Sequence, residues 1–376
     1  MASQRPTVLV FGTYDLDDVR PRTVCGAMRS LGWRLRVCHS VLWAEEVAKL
    51  TVVDGRGMWR VLKRAMLVYP SLFLRALMHA PFDLMLITSG GYLDMLLGWW
   101  IARLAGARLL FDPLYGLYET VVEDRRLIAP RSLCARVIKV IERFCFRLAD
   151  VVLVDTEEHC DYFAQRLNLS RRRIIVIPVG AEDQFFAAVS PPDKEPSPVL
   201  QVLFYGSMIP LHGADTIVRA ARLIDAADVR FTLVGRGQMS ERLEAIARDL
   251  GCNNVRFMPS VPYATILEMV RNTDVCLGIF GTTAKAQYVV PTKVFECVAA
   301  GRPVVTGDTA AIRRLFRPGE HLLTVPCGNP QALAHAILQI RDDPVLRRNL
   351  GEAARRWHLA HFTARALAKP LRQIGN

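Results

Sequence analysis

The run Val289-Val290-Pro291-Thr292-Lys293-Val294-Phe295-Glu296-Cys297-Val298-Ala299-Ala300-Gly301-Arg302-Pro303-Val304-Val305 reads as a helix start followed by a buried strand. Pro291 and Thr292 suit a first helical turn, whose exposed amide groups attract anions. Lys293 adds an ammonium group beside that positive end, and Glu296 follows one turn later. The pair could hold a diphosphate with the lysine and sugar hydroxyls with the glutamate, so the expected ligand is a nucleotide with a polar appendage. The plain alternative is an exposed i,i+3 ion pair worth about 0.2–0.5 kcal/mol.

Outward from this block, apolar strand-like runs alternate with helix-like segments. The first half carries them at residues 7–11, 34–38, 84–88, 108–111, 151–155 and 174–178. The rhythm restarts at residues 199–205, 229–234, 254–258, 275–278, 303–306 and 322–325. Strand and helix in alternation imply a parallel sheet covered by helices, here twice over. The expected fold is α/β, with two Rossmann-like halves. The proline-rich stretch 187–198 is the natural linker. The expected domains are residues 1–183 and 184–356, with a basic helical tail, 357–376, packing back on the first.

The chain has 376 residues, enough for two domains that each bury a core. With 51% hydrophobic and 22% charged residues, its composition is globular. The apolar run at residues 8–11 is too short for a signal-peptide core. The longest apolar stretch, 84–111, is interrupted by Asp94, Arg103 and a Gly-Gly pair, which argues against a spanning helix. Nine cysteines without a C-x-x-C pair suit reduced thiols inside a cell, and no zinc set is present. A formal net charge of +12 favours anionic partners. No nucleic-acid-binding module is recognised, so no nucleic acid is expected.

Three further segments of the second half fall where ligands of parallel sheets usually lie. Tyr205-Gly206-Ser207-Met208-Ile209-Pro210-Leu211-His212-Gly213 links a strand to a helix; its glycines would let backbone approach a phosphate, or simply make a tight turn. Gly235 and Gly237 form a second glycine pair, short of a full dinucleotide fingerprint. Residues 280–288, with Gly281 near their start, suit a loop that wraps a sugar, or an ordinary surface loop.

In order and spacing these pieces resemble the donor half of retaining nucleotide-sugar glycosyltransferases of the GT-B fold, the group often called glycosyl transferases group 1. The carriers are the Gly206 to Gly213 turn, Val234-Gly235-x-Gly237, Phe257-Met258-Pro259-Ser260-Val261-Pro262, and Lys293-x-x-Glu296-x-x-Ala299-x-Gly301-x-Pro303-Val304. The resemblance implies two domains facing a central cleft and a nucleoside-diphosphate sugar as donor substrate, with no further cofactor and no metal. It implies that Glu296 accepts hydrogen bonds from the ribose and that Met258 to Val261 cover the base through backbone contacts, while Thr292 belongs to the helix start whose amides attract an anion. Lys293 and His212 would stabilise the departing diphosphate, whose own oxygen can take the acceptor proton. Three positions depart from the family pattern: Tyr288 replaces the first of two glutamates, and Ser207 and His212 stand where many members carry arginine and lysine.

In the first half, Gly12 ends the first strand, where it would admit donor or acceptor, and Arg22 is a candidate phosphate contact. Asp15, Asp17 and Asp18 read as a solvated loop. Asp112, at the end of another strand, is the best acceptor-side carboxylate, and Tyr115, Tyr118, Arg125 and Arg126 follow it. Trp59, Leu62, Met66 and Tyr69 recur at near-helical spacing among Arg56, Arg60, Lys63, Arg64 and Arg75. This pattern suits docking on an anionic membrane, although such a stripe more commonly faces a core. His159, Cys160, His358 and His361 form no convincing ligand set. The expected activity is transfer of a sugar to a hydroxyl of a glycan or lipid-linked acceptor in cell-surface polysaccharide or glycolipid synthesis, in the cytoplasm or on the inner membrane face. The competing readings are a noncatalytic nucleotide-sugar-binding subunit and a nucleotide-sugar epimerase.

Overall fold

A computed structural model of the chain describes residues 5–16, 18–42, 55–182, 199–225 and 227–374, with side chains omitted for 55–62. It divides into two compact units, Met1–Pro178 with Leu367–Asn376, and Val179–Ala366.

The first unit holds a six-stranded parallel sheet in the order β2-β1-β3-β4-β5-β6. Its strands are β1 (Thr7–Gly12), β2 (Arg34–His39), β3 (Leu84–Thr88), β4 (Arg108–Asp112), β5 (Val151–Val154) and β6 (Ile174–Val176). Strands β3 and β5 are buried at every residue, as expected of continuous apolar runs covered on both faces. One face packs helices Gly55–Met78, Asp94–Leu104, Leu133–Leu148 and Glu157–Leu167 through Leu72, Met95, Phe146 and Phe163.

The second unit repeats the plan with β7 (Leu200–Tyr205), β8 (Val229–Val234), β9 (Val255–Met258), β10 (Val275–Leu277), β11 (Val304–Gly307) and β12 (Leu323–Val325). The order is β12-β11-β10-β7-β8-β9, all parallel. Chain direction across the sheet reverses between β7 and β10, and the crevice beyond their C-terminal ends is where such folds bind ligands. The twelve strand-like runs read from the sequence are the twelve strands found among the described residues.

Both unit boundaries differ from the sequence expectation, the second by about three helical turns. The structure divides at Pro178/Val179 rather than 183/184, and at Ala366/Leu367 rather than 356/357. The second difference has a packing cause: helix Pro344–His361 buries Leu350, Ala354 and His358 and lies against Thr292–Ala299 and Pro330–Asp342, so it belongs to the second unit. Only the terminal segment from Leu367 onward joins the first unit, where Leu371 and Ile374 are buried and Arg108 donates to the Ile374 carbonyl at 2.9 Å. The proline-rich stretch 187–198 lies outside the described residues, as do Asp17 and the side chains of Trp59 and Leu62. No helix among the described residues is long and apolar enough to cross a membrane.

Candidate functional site

The C-terminal ends of strands in the second unit are tied together by backbone packed on backbone. Gly206 N donates to Val234 O, Gly235 N to Met258 O and Met208 N to Arg236 O, at 2.9–3.1 Å, which joins the ends of β7, β8 and β9. Gly235 has φ +129°, and a Cβ there would run into the Gly206 carbonyl oxygen. Gly213, at φ +59°, abuts the Phe280–Gly281 peptide, while the Cβ positions of Gly237 and Gly281 point at the carbonyls of Met208 and Leu211. These four glycines are therefore required by the close approach of the turns to one another. Gly235→Ala is expected to cost roughly 2–4 kcal/mol through strain and overlap, measured by urea unfolding.

Gly206 is different, because a Cβ there would meet Lys293 Nζ at 3.1 Å and His212 Cε1 at 3.4 Å. This turn, His212 and Lys293 thus converge. Helix Thr292–Ala299 brings the lysine in; Pro291 precedes it and no side chain caps its first turn, so the amide end is left uncapped by any side chain. Lys293 is only 5% exposed, its Nζ stands 3.9 Å above the Phe204 ring, and it meets no hydrogen-bond acceptor among the described residues. Burial pulls its pKa down to about 7. The His212 Nδ1 and Ser207 O are hydrogen-bonded, which fixes the imidazole ring. Since the Ser207 carbonyl can only accept, Nδ1–H is the donor, and the ring offers Nε2–H to an anion only as imidazolium.

Glu296, 2% exposed, accepts from Tyr205 Oη at 2.6 Å and from Tyr263 Oη at 2.8 Å. Burial raises its pKa, and the two phenol donors pull it back. Both Lys293 and Glu296 lie inside the protein, so the surface ion-pair alternative does not apply. Phe204 and Tyr263 carry no motif in the sequence, and Tyr205 stands there only as the first residue of the Gly206 to Gly213 turn. Met258, half-buried, spends its carbonyl on Gly235, and Val261, half-buried, precedes the helix Tyr263–Asn272 that carries Tyr263.

The first unit corrects three expectations. Asp112 is fully buried and receives Arg20 Nε at 3.0 and 3.1 Å, Arg20 Nη2 at 2.9 Å and Thr88 Oγ1 at 2.9 Å. Arg20, also fully buried, donates Nη1 to Ile177 O at 2.6 Å. The carboxylate is thereby committed to a clamp joining helix Val19–Ser30, β3, β4 and the chain leaving β6, and no surface remains for an acceptor. Gly12 likewise faces protein: a Cβ would meet Asp94 Oδ2 at 2.5 Å, and that carboxylate accepts from Thr13 N at 2.9 Å and Tyr69 Oη at 3.0 Å. Asp18, read as part of a solvated loop, is the N-cap of helix Val19–Ser30, so Arg20 and Arg22 lie in helix.

His159 is buried between Asp155 (2.6 Å) and Glu119 (3.1 Å), which raise its pKa to about 9 against the opposing effect of burial. Glu119 opens a π-helical stretch, Glu119–Asp124, after Tyr115 and Tyr118, while Arg125 and Arg126 follow. The Tyr118 ring lies 4.5 Å beneath the Arg166 guanidinium.

Two doubly wound units, the second with a glycine-lined switch point and a buried ammonium at an uncapped helix start, have the architecture of GT-B glycosyltransferases. Residues 200–343 match the family Glycosyl transferases group 1, and residues 18–180 match Glycosyl transferase 4-like domain. The chain thus carries a match to a group 1 glycosyltransferase domain in its second half and to a glycosyltransferase 4-like domain in its first. It is 36% identical over 135 residues to the phosphatidyl-myo-inositol mannosyltransferase of Mycobacterium leprae, covering 35% of this chain and 34% of the relative. It is 31% identical over 170 residues to the D-inositol 3-phosphate glycosyltransferase of Thermomonospora curvata, covering 41% and 37%. The chain thus spans only about a third of the length of these curated relatives. The sucrose-phosphate synthase of Thermosynechococcus elongatus superposes with a TM-score of 0.73 at 18% identity, covering 99% and 98% of the two chains, which establishes likeness of fold.

Proposed function

We propose that the protein transfers a sugar, with retention, from a nucleoside-diphosphate sugar to a hydroxyl of a glycan or lipid-linked acceptor. The observation carrying this reading is Lys293 Nζ, buried over the Phe204 ring without an acceptor among the described residues, on a lysine in the first turn of helix Thr292–Ala299, whose amides carry no side-chain cap. An ammonium in that position is a cost to the empty protein and an asset once an anion arrives. As the bond from the sugar to the diphosphate breaks, negative charge grows on the leaving phosphate. The amides and Lys293 Nζ oppose that charge in a water-poor crevice, where they act more strongly than in solution. Glu296 accepts from the ribose, with Tyr263 Oη holding the place of a ribose hydroxyl until the donor enters. The acceptor proton passes to a leaving phosphate oxygen on the same face, so no protein base is needed, in keeping with Asp112 being fully engaged. The named activities of the relatives, on phosphatidyl-myo-inositol and on D-inositol 3-phosphate, support a phosphorylated or lipid-linked inositol as the first acceptor class to assay.

The test is a panel of nucleoside-diphosphate sugars assayed for diphosphate release, with lipid extract and inositol phosphate as acceptors. Release with matching sugar transfer is expected for one donor, and Glu296→Gln is expected to raise the donor KM about tenfold, since one charged hydrogen bond contributes about 1.5 kcal/mol. Isomerised donor without acceptor, or tight nucleotide binding without release, would replace this reading by an epimerase or a binding subunit.

A further inference from the structure

The three consecutive helices Gly55–Met78, Asp94–Leu104 and Leu133–Leu148 are neighbours on one face of the first sheet, and each is apolar on both sides. Their inner sides form the core. Their outer sides expose Leu67, Leu74 and Met78 on the first, Leu96, Trp100 and Leu104 on the second, and Leu133, Val140 and Phe144 on the third. Trp100 is 59% exposed and Val140 68%. At 3.6 residues per turn, Leu133, Val137, Val140, Ile141 and Phe144 fall within an arc of about 100°, and Arg136, Lys139, Arg143 and Arg147 fill the arc beside it. These four basic residues are exposed. The first helix contains no acidic residue, and the single ones on the other two, Asp94 and Glu142, are both buried. The outer wall is therefore apolar and cationic, with no negative charge contributed by any of the three helices.

Isolated exposed leucines are ordinary, whereas a continuous wall over three adjacent helices exceeds what a monomer leaves to water. We propose that this wall docks on an anionic lipid bilayer, with its apolar side chains at the headgroup boundary and the flanking arginines and lysine on lipid phosphates. Charge decides the occupant. A second copy of the same surface would set cation against cation, while an anionic bilayer complements it. The surface differs from the stripe read in the sequence, because Tyr69 turns inward to Asp94 while Met66 and Leu67 face out.

The experiment is flotation of the full chain with vesicles of phosphatidylcholine alone or with phosphatidylglycerol, at low and high salt. It needs no turnover, so its outcome is separate from that of the donor assay. Binding is expected only to the anionic vesicles and is expected to weaken with salt. Trp100→Glu with Val140→Glu, both outward-facing and with folding checked by circular dichroism, should lower partitioning at least tenfold, as should Lys139→Glu with Arg143→Glu. Absence of binding to anionic vesicles, or partitioning of both variants like the parent, overturns the proposal. A concentration-dependent dimer in analytical ultracentrifugation that the same substitutions abolish would assign the wall to a second copy and overturn it equally.

Discussion

Lys293→Met is expected to lower turnover by about 10²–10³-fold, the range for removing one preorganised donor from a developing oxyanion, while making the protein harder to unfold. The opposite signs are the point of the experiment. In the empty protein the Lys293 ammonium sits over the Phe204 ring with no hydrogen-bond acceptor among the described residues, and burial lowers its pKa to about 7. The unfolded chain keeps the lysine protonated up to about pH 10.5, its ordinary value. Between pH 7 and 10.5 the unfolded state thus holds a proton that the folded state lacks, so stability rises with pH at about 1.4 kcal/mol per pH unit for this group. Below pH 7 both states are charged and the penalty is at its full size, on the order of a few kcal/mol. Methionine matches the lysine stem without the charge. The variant's advantage should therefore be complete at pH 7 and below, and fade toward pH 10.5, as read by urea unfolding across that range. Nucleoside diphosphate binding should show the reverse linkage. An anion beside Nζ restores the proton, so calorimetry in buffers of different ionisation enthalpy should detect proton uptake above pH 7, and the variant should show none. A variant that loses stability and keeps turnover would remove the lysine from the site.

The same residue shows how far the sequence could be read. Pro291 and Thr292 mark a helix start by local rules, and apolar runs such as residues 84–88 and 151–154 mark parallel strands because both faces must be covered. Long-range partners leave no local trace. Arg20 meets Asp112 across 92 positions and Tyr205 meets Glu296 across 91, so Asp112 looked available in sequence and is engaged in the structure. Glycine is ambiguous for a related reason: a close approach by a phosphate and one by another turn both require a missing side chain, and at Gly213, Gly235, Gly237 and Gly281 the neighbour is another turn. Helical periodicity likewise identifies a face without saying what covers it. In Leu133–Leu148 two apolar faces lie on one helix, which a single period does not separate.

Asp112→Ala should lower the stability of the first unit by about 3–5 kcal/mol, a large loss for a single substitution, because it strands the Arg20 guanidinium in a fully buried position. Arg20→Ala should cost a similar amount by stranding the carboxylate. The measurement is chemical unfolding of both single variants and of Arg20→Met with Asp112→Leu, which removes both charges and fills the volume. A buried ion pair loses much of its Coulomb attraction to desolvation, so the double variant should recover most of what each single change loses. Asp112→Asn, which keeps the shape and the Thr88 contact, should fall between these limits. At temperatures where the variants remain folded, the acceptor KM should be unchanged, since the carboxylate has no exposed surface to offer a sugar. An acceptor KM raised tenfold in Asp112→Asn with native stability would return the residue to the acceptor site. Coupling of the single losses in the double variant, with KM intact, would fix Arg20 and Asp112 as the clamp that holds helix Val19–Ser30 against the ends of β3 and β4.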